Sequence, residues 1–202
     1  MKKTIILILL LKSLTVLTLA QGSAEVAKNE FTLWGGISPD SSTFIRGTGK
    51  TPDVHFGIIG FRYSRRFDNN NFFNLKYTTD VIPFAVMNFP DIGLNKRSTR
   101  KAYGVAPLGL QINFRPHKKF QPFVGSSGGF LFFDKTTPSV VGAKLGFTAD
   151  LGFGLEIKQK GKPSFTIGYK YYHISNAGRG IQNPGFDNNL FYFGYTFSKK
   201  AL

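Results

Sequence analysis

His173, Ser175 and Asp187 are the residues of this sequence whose types and spacing could do chemistry together. An imidazole can take the proton of a nearby hydroxyl and turn a weak nucleophile into an effective one. A carboxylate beside the imidazole fixes the ring and stabilises its cation while an acyl carbon is attacked. The other two histidines offer less. His55 opens a strand close to Asp53, and His117 sits in the basic run Arg115-Pro116-His117-Lys118-Lys119, which reads as a turn. Cysteine is absent, so thiolate chemistry and a disulfide framework are excluded.

The spacing has meaning only on strands. In the run ending at Ser175, the residues Phe165, Ile167, Tyr169, Tyr171, His173 and Ser175 share one face, because strand side chains alternate. Same-face neighbours two residues apart lie about 6.5–7 Å apart at Cα, within reach of suitable imidazole and hydroxyl rotamers. The next run places Asp187, Asn189, Phe191, Phe193, Tyr195 and Phe197 on one face. If the two runs are antiparallel neighbours, Asp187 begins its strand beside the end of the first, on the same side as His173 and Ser175.

Eight strand-like runs are predicted: Phe31–Ile37, Val54–Phe67, Phe72–Val86, Ala102–Phe114, Phe120–Phe133, Ala143–Lys158, Ser164–Ser175 and Asn188–Ser198. Residues 38–52 and 88–101 are the expected long loops. The 22 Phe, 8 Tyr and 23 Gly suit strands and tight turns, and no segment carries a helical period. In the sixth run Leu145, Phe147, Ala149, Leu151, Phe153, Leu155 and Ile157 oppose Lys144, Gly146, Thr148, Asp150, Gly152, Gly154 and Glu156. In the third, Phe73, Leu75, Tyr77, Thr79 and Val81 oppose Phe72, Asn74, Lys76, Thr78 and Asp80. A soluble barrel turns such an apolar face inward; a membrane barrel turns it to lipid and keeps polar and small residues in the lumen. Most runs can supply the about 9–11 residues that cross a bilayer. Only a closed barrel satisfies every strand N–H and C=O there.

Export points the same way. Lys2 and Lys3 precede the apolar runs Ile5–Leu11 and Leu14–Ala20, and small residues follow. This is the pattern of a secretory signal spanning residues 1–24, cleaved after Ala20 or Ala24. Lys12 leaves no uninterrupted apolar stretch of about 18 residues for an anchor. Removing three lysines and no acid takes the formal charge from +15 to +12. A basic exported surface suits lipopolysaccharide phosphates or anionic lipid, and export argues against nucleic acid. The expected fold class is all-β: an eight-stranded antiparallel transmembrane β-barrel, one domain over residues 25–202, in the bacterial outer membrane. The chain continues past Phe197 into Ser198-Lys199-Lys200-Ala201-Leu202, where such barrels tend to finish on an aromatic residue. With both termini in the periplasm, the end of strand seven and the start of strand eight lie at the outer leaflet, facing lipid.

The segment Tyr171-Tyr172-His173-Ile174-Ser175-Asn176-Ala177-Gly178, followed by Asn183-Pro184-Gly185, resembles the signature of the PagL-type lipid A 3-O-deacylases and their acyloxyacyl hydrolase-like relatives. Ala106–Pro116 and Gln121–Gly125 resemble the family's central strands, so the likeness covers approximately residues 100–197. The resemblance implies a serine esterase that hydrolyses a fatty acyl ester of lipid A, with Ser175 as nucleophile and His173 as general base. The family's acid is a glutamate after the Asn-Pro-Gly loop. Here Asp187 stands in that region, one methylene shorter, with Asn188 as a competing assignment. Asn176, Asn183 and the Gly178 backbone N–H resemble the groups that stabilise the oxyanion, each such donor being worth about 3–4 kcal/mol. Turn chemistry accounts equally for both asparagines. No metal or cofactor is implied, and the resemblance leaves room for a homodimer.

Two other readings come from different classes. A non-catalytic OmpA-like structural or adhesion barrel has no need of His173, Ser175 and Asp187 on one face. A soluble lipid-binding barrel would stay in solution after detergent-free lysis. Two motifs are decoys. Gly125-Ser126-Ser127-Gly128-Gly129 fits G-x-S-x-G, but that motif requires a strand-to-helix elbow and no helix follows. Gly47-Thr48-Gly49-Lys50-Thr51 hints at a phosphate loop, yet Phe44 stands where its first glycine belongs.

Overall fold

In the computed structural model eight antiparallel strands close into a barrel in which the first strand pairs with the last. The structure describes residues 29–41, 51–69, 72–91, 96–116, 118–159, 162–183 and 185–198. The expected signal segment, His117, the Gly47–Lys50 loop and Pro184 lie outside the described residues. The strands are β1 (Asn29–Ser38), β2 (His55–Asn69), β3 (Phe73–Pro90), β4 (Arg97–Phe114), β5 (Phe120–Thr137), β6 (Ala143–Gln159), β7 (Lys162–Ser175) and β8 (Phe186–Ser198).

The apolar face of the alternation points outward. Leu151 and Phe153 of β6 are 63% and 59% exposed, and Val81, Ile167, Phe191 and Phe193 are exposed on neighbouring strands. Their even-numbered neighbours Asp80, Asp150, Lys170 and Tyr192 are buried in the lumen. That is the membrane-barrel arrangement, since an apolar outer band with paired backbone groups suits hydrocarbon and not water. The described ends of β1 and β8 meet at one rim, where Glu30 pairs with Ser198. The connections at that rim, β2–β3, β4–β5 and β6–β7, are short, while β1–β2, β3–β4 and β7–β8 turn at the other rim through longer segments. Outer-membrane barrels keep short turns in the periplasm and longer loops outside, so the longer segments mark the extracellular rim.

The strands run further than the sequence pattern suggests. The pattern predicts a loop over residues 88–101, yet β3 continues to Pro90 and β4 starts at Arg97. Arg97 secures this extension: its Nε donates to Asn88 Oδ1 at 2.5 Å and its Nη1 to Asp53 Oδ2 at 2.5 Å. Pro83 and Pro107, which cannot donate to a ladder, fall at the register shifts between Ile82 and Ala85 and between Val105 and Leu108.

Side chains fill the lumen in layers, as the narrow interior of eight strands permits. Near the terminal rim, Glu30 and Glu156 are bridged by Lys76 (2.7 and 2.9 Å) and Lys158 (2.6 and 2.5 Å). In the middle, Asp80 accepts from Trp34 Nε1 at 2.9 Å and from Arg62 at 2.9 and 2.8 Å. Asp150 accepts from Lys170 Nζ at 3.0 Å and from the Ser127 hydroxyl. The extracellular third differs from a polar lumen. Phe56, Met87, Phe89, Leu131, Phe133, Ile174 and Phe186 form a buried apolar cluster there. Ile174 and Phe186 of this plug are chain neighbours of His173, Ser175 and Asp187.

Candidate active site

β7 and β8 pair in the register that the candidate chemistry requires. His173 lies directly opposite Asp187, and Tyr171 opposite Asn189. Residues directly opposite have Cβ atoms about 4.5–5.5 Å apart, which lets a short aspartate reach an imidazole. His173 Nδ1 is 2.6 Å from Asp187 Oδ1. A carboxylate only accepts, so Nδ1 carries the proton and Nε2 is left as the basic nitrogen. The histidine side chain is 36% exposed, while that of Asp187 is 3% exposed. Asp187 therefore sits beneath the site's outer surface, in contact with His173 and Tyr171, whose Oη donates to the same Oδ1 at 2.5 Å. A buried carboxylate must be paired or well hydrogen-bonded, and His173 and Tyr171 meet it from one face of β7.

Ser175 ends β7 on the same outward face, opposite Phe147 of β6. Among the described residues no hydrogen bond joins its Oγ to His173. Contacts of this kind are often long without substrate and tighten in the complex. A groove beside Ser175 is lined by Leu145, Asn176, Asn183 and Gly185. Gly185, at φ 70°, lies against the imidazole: a Cβ there would sit 3.4 Å from His173 Cε1. The Gly185 carbonyl accepts from Thr51 N at 3.3 Å, and Ser41 bridges Asn188. The described ends of the β1–β2 loop thus brace the far side of the hairpin.

The loop after Ser175 turns tightly. Ala177 and Gly178 have φ of 52° and 74°, and Arg179 N donates to Asn176 O at 3.1 Å, as in a turn with two left-handed central residues. Asn176 holds this loop together. Its Nδ2 donates to Gln182 O at 2.7 Å, its Oδ1 accepts from Gly178 N at 2.9 Å, and its backbone N–H donates to Asn183 Oδ1 at 2.9 Å. Of the three expected oxyanion donors, the Gly178 N–H and one N–H of the Asn176 amide are engaged within this turn. Asn183 presents an amide Nδ2 without a partner among the described residues.

Asn188 does not compete with Asp187. It faces the lumen, fully buried, and donates to Tyr172 O at 3.2 Å. His55 stays apart, with β8 and β1 between its strand and β7, and its Nε2 is 3.4 Å from Asp53. Ser126 and Ser127 lie within β5 and bond to Asp150, so no nucleophile elbow exists there. Sequence reasoning missed Tyr171, although its period-2 position on the His173 face was visible. In the loop after β7, the Arg179 guanidinium stacks 4.9 Å from the ring of Phe147, the register partner of Ser175.

The sequence matches the family described as Lipid A 3-O-deacylase (PagL) over residues 60–196. No curated protein sequence matches the chain. Among solved structures, the outer membrane enzyme PagL is similar at 15% identity and a TM-score of 0.59, over 82% of this chain and 98% of that one. Neisserial surface protein A (NspA) is similar at 12% identity and a TM-score of 0.51, over 87% of this chain and 100% of that one. At such identities these likenesses speak for the barrel alone. The family match carries more, because it takes in well over half of the sequence and includes His173, Ser175 and Asp187. With an outward apolar band, a closed barrel and that match, the chain belongs to the lipid A 3-O-deacylase (PagL) family of bacterial outer-membrane proteins.

Proposed function

We propose that this protein is a serine esterase that removes a fatty acyl chain from lipid A. The observation that carries the reading is the 2.6 Å contact between His173 Nδ1 and Asp187 Oδ1, on the same outward strand face as Ser175. A site on the outer wall near the extracellular rim meets lipid of the outer leaflet, not solutes in the lumen. A non-catalytic barrel has no use for a buried carboxylate beneath an outward-facing histidine.

In this mechanism Ser175 Oγ attacks the acyl carbonyl carbon while His173 Nε2 takes its proton. The Asn183 amide donates to the developing oxyanion. Collapse breaks the acyl C–O bond, the imidazolium returns its proton to the departing sugar oxygen, and an acyl-serine remains. Water then attacks the acyl-serine, His173 accepts its proton, and a fatty acid leaves with Ser175 restored. Asp187 holds the imidazole in the Nδ1–H form and stabilises its cation throughout. Arg179, exposed in the loop beside this site, supplies a cation for a lipid A phosphate.

Purified, folded protein incubated with lipid A in detergent micelles tests the reading. The expected product is lipid A lighter by one acyl chain, with an equimolar free fatty acid. Unchanged lipid A with a correctly folded barrel would support the non-catalytic alternative.

A further inference from the structure

Asp187 is one methylene shorter than the glutamate that the family resemblance leads one to expect, and the structure contains a feature that offsets this. Tyr171 Oη lies 2.5 Å from Asp187 Oδ1, the same oxygen that meets His173 Nδ1 at 2.6 Å. The geometry is diagonal: Tyr171 stands opposite Asn189, and its long side chain leans one pair further along the hairpin to reach the aspartate. One step earlier on the same face, Tyr169 Oη reaches Asn189 Oδ1 at 2.6 Å in the same way. Asn189 is thereby held away from Asp187's role, and the two tyrosines form a ladder down the outer wall.

From this we propose that Tyr171 is a positioning residue of the hydrolytic site, holding the Asp187 carboxylate on the imidazole; the inference rests on the esterase reading above. Rotation of the Asp187 carboxylate about χ1 would carry Oδ1 away from the His173 ring. Two donors from β7 on one oxygen fix that torsion, and bonds to an ionised acceptor are the strong kind. Tyr171 needs no contact with the reacting atoms to act. It works through Asp187, which sets the orientation and proton position of His173.

Tyr171→Phe tests this, because the ring is kept and only the hydroxyl is lost. With purified lipid A in micelles, kcat should fall about ten- to a hundredfold, the size expected for one hydrogen bond to a charged group, while KM stays within about twofold. In an Asp187→Asn background the same substitution should change kcat by less than about twofold, since its effect runs through the carboxylate. A structural role would instead make the two losses multiply and overturn the proposal. A second readout does not depend on residual activity. In 15N-histidine-labelled Ser175→Ala protein, the His173 Nδ1–H proton resonance should shift on adding Tyr171→Phe; an unmoved resonance overturns the inference. If Ser175→Ala itself retains full activity, the esterase reading fails first. If Ser175→Ala is inactive and Tyr171→Phe matches wild type, only the Tyr171 inference fails.

Discussion

Replacing Asp187 by Asn probes the site where its electrostatics are concentrated. Asn preserves shape and its Oδ1 can still accept hydrogen bonds, but it removes the charge that lies 2.6 Å from the His173 ring. The imidazole loses the partner that dictates its Nδ1–H form, and the imidazolium created during attack loses its counter-charge. Asp187 is almost fully buried, so water cannot substitute for the missing charge. The corresponding change in a serine-protease triad costs about 10⁴-fold in kcat. Here Ser175 and the Asn183 amide remain, and the expected loss is about 10²- to 10⁴-fold, or roughly 3 to 5 kcal/mol in the barrier. The assay is fatty-acid release from lipid A micelles at saturating substrate. Folding is checked in parallel by the difference in gel mobility between heated and unheated barrel. A folded Asp187→Asn protein that keeps kcat within about tenfold of wild type would refute the assignment of Asp187 as orienting acid.

Asn183→Ala should lower kcat by about 10²- to 10³-fold with little change in KM, because an oxyanion donor acts mainly in the transition state; equal rates would send the oxyanion elsewhere. Arg179→Ala should raise KM for phosphorylated lipid A several-fold and leave kcat nearly intact, an effect that should shrink with added salt if the contact is ionic; comparison with dephosphorylated lipid A isolates it. Lys76→Met removes a cation that bridges Glu30 and Glu156 inside the barrel. It should cost about 3–5 kcal/mol of stability by leaving buried carboxylate charge less compensated, read from guanidinium unfolding followed by gel mobility.

The barrel was legible because its signal is strictly periodic. Leu151, Phe153 and Val81 lie outside and Asp80 and Asp150 inside, as the alternation implied. His173, Ser175 and Asp187 were legible for the same reason: period 2 and a hairpin suffice to put them on one face. What the sequence hid depends on cross-strand geometry. The direct opposition of His173 and Asp187, which brings them to 2.6 Å, follows from the β7–β8 register. That Asn176 and Gly178 close their own loop follows from a turn with two positive-φ residues. The continuation of β3 and β4 toward Pro90 and Arg97 depends on Arg97 reaching back to Asp53, a contact between segments 44 residues apart in sequence. The apolar plug escaped notice because it assembles from the ends of several strands, each too short to show a pattern of its own.

Ser175 is the atom source on which the whole account turns, and mass spectrometry of lipid A examines it most directly. Outer membranes carrying the wild-type protein should contain lipid A shortened by one acyl chain, and membranes carrying equal amounts of folded Ser175→Ala protein should contain only the intact form. Deacylated lipid A in the Ser175→Ala membranes would contradict the account.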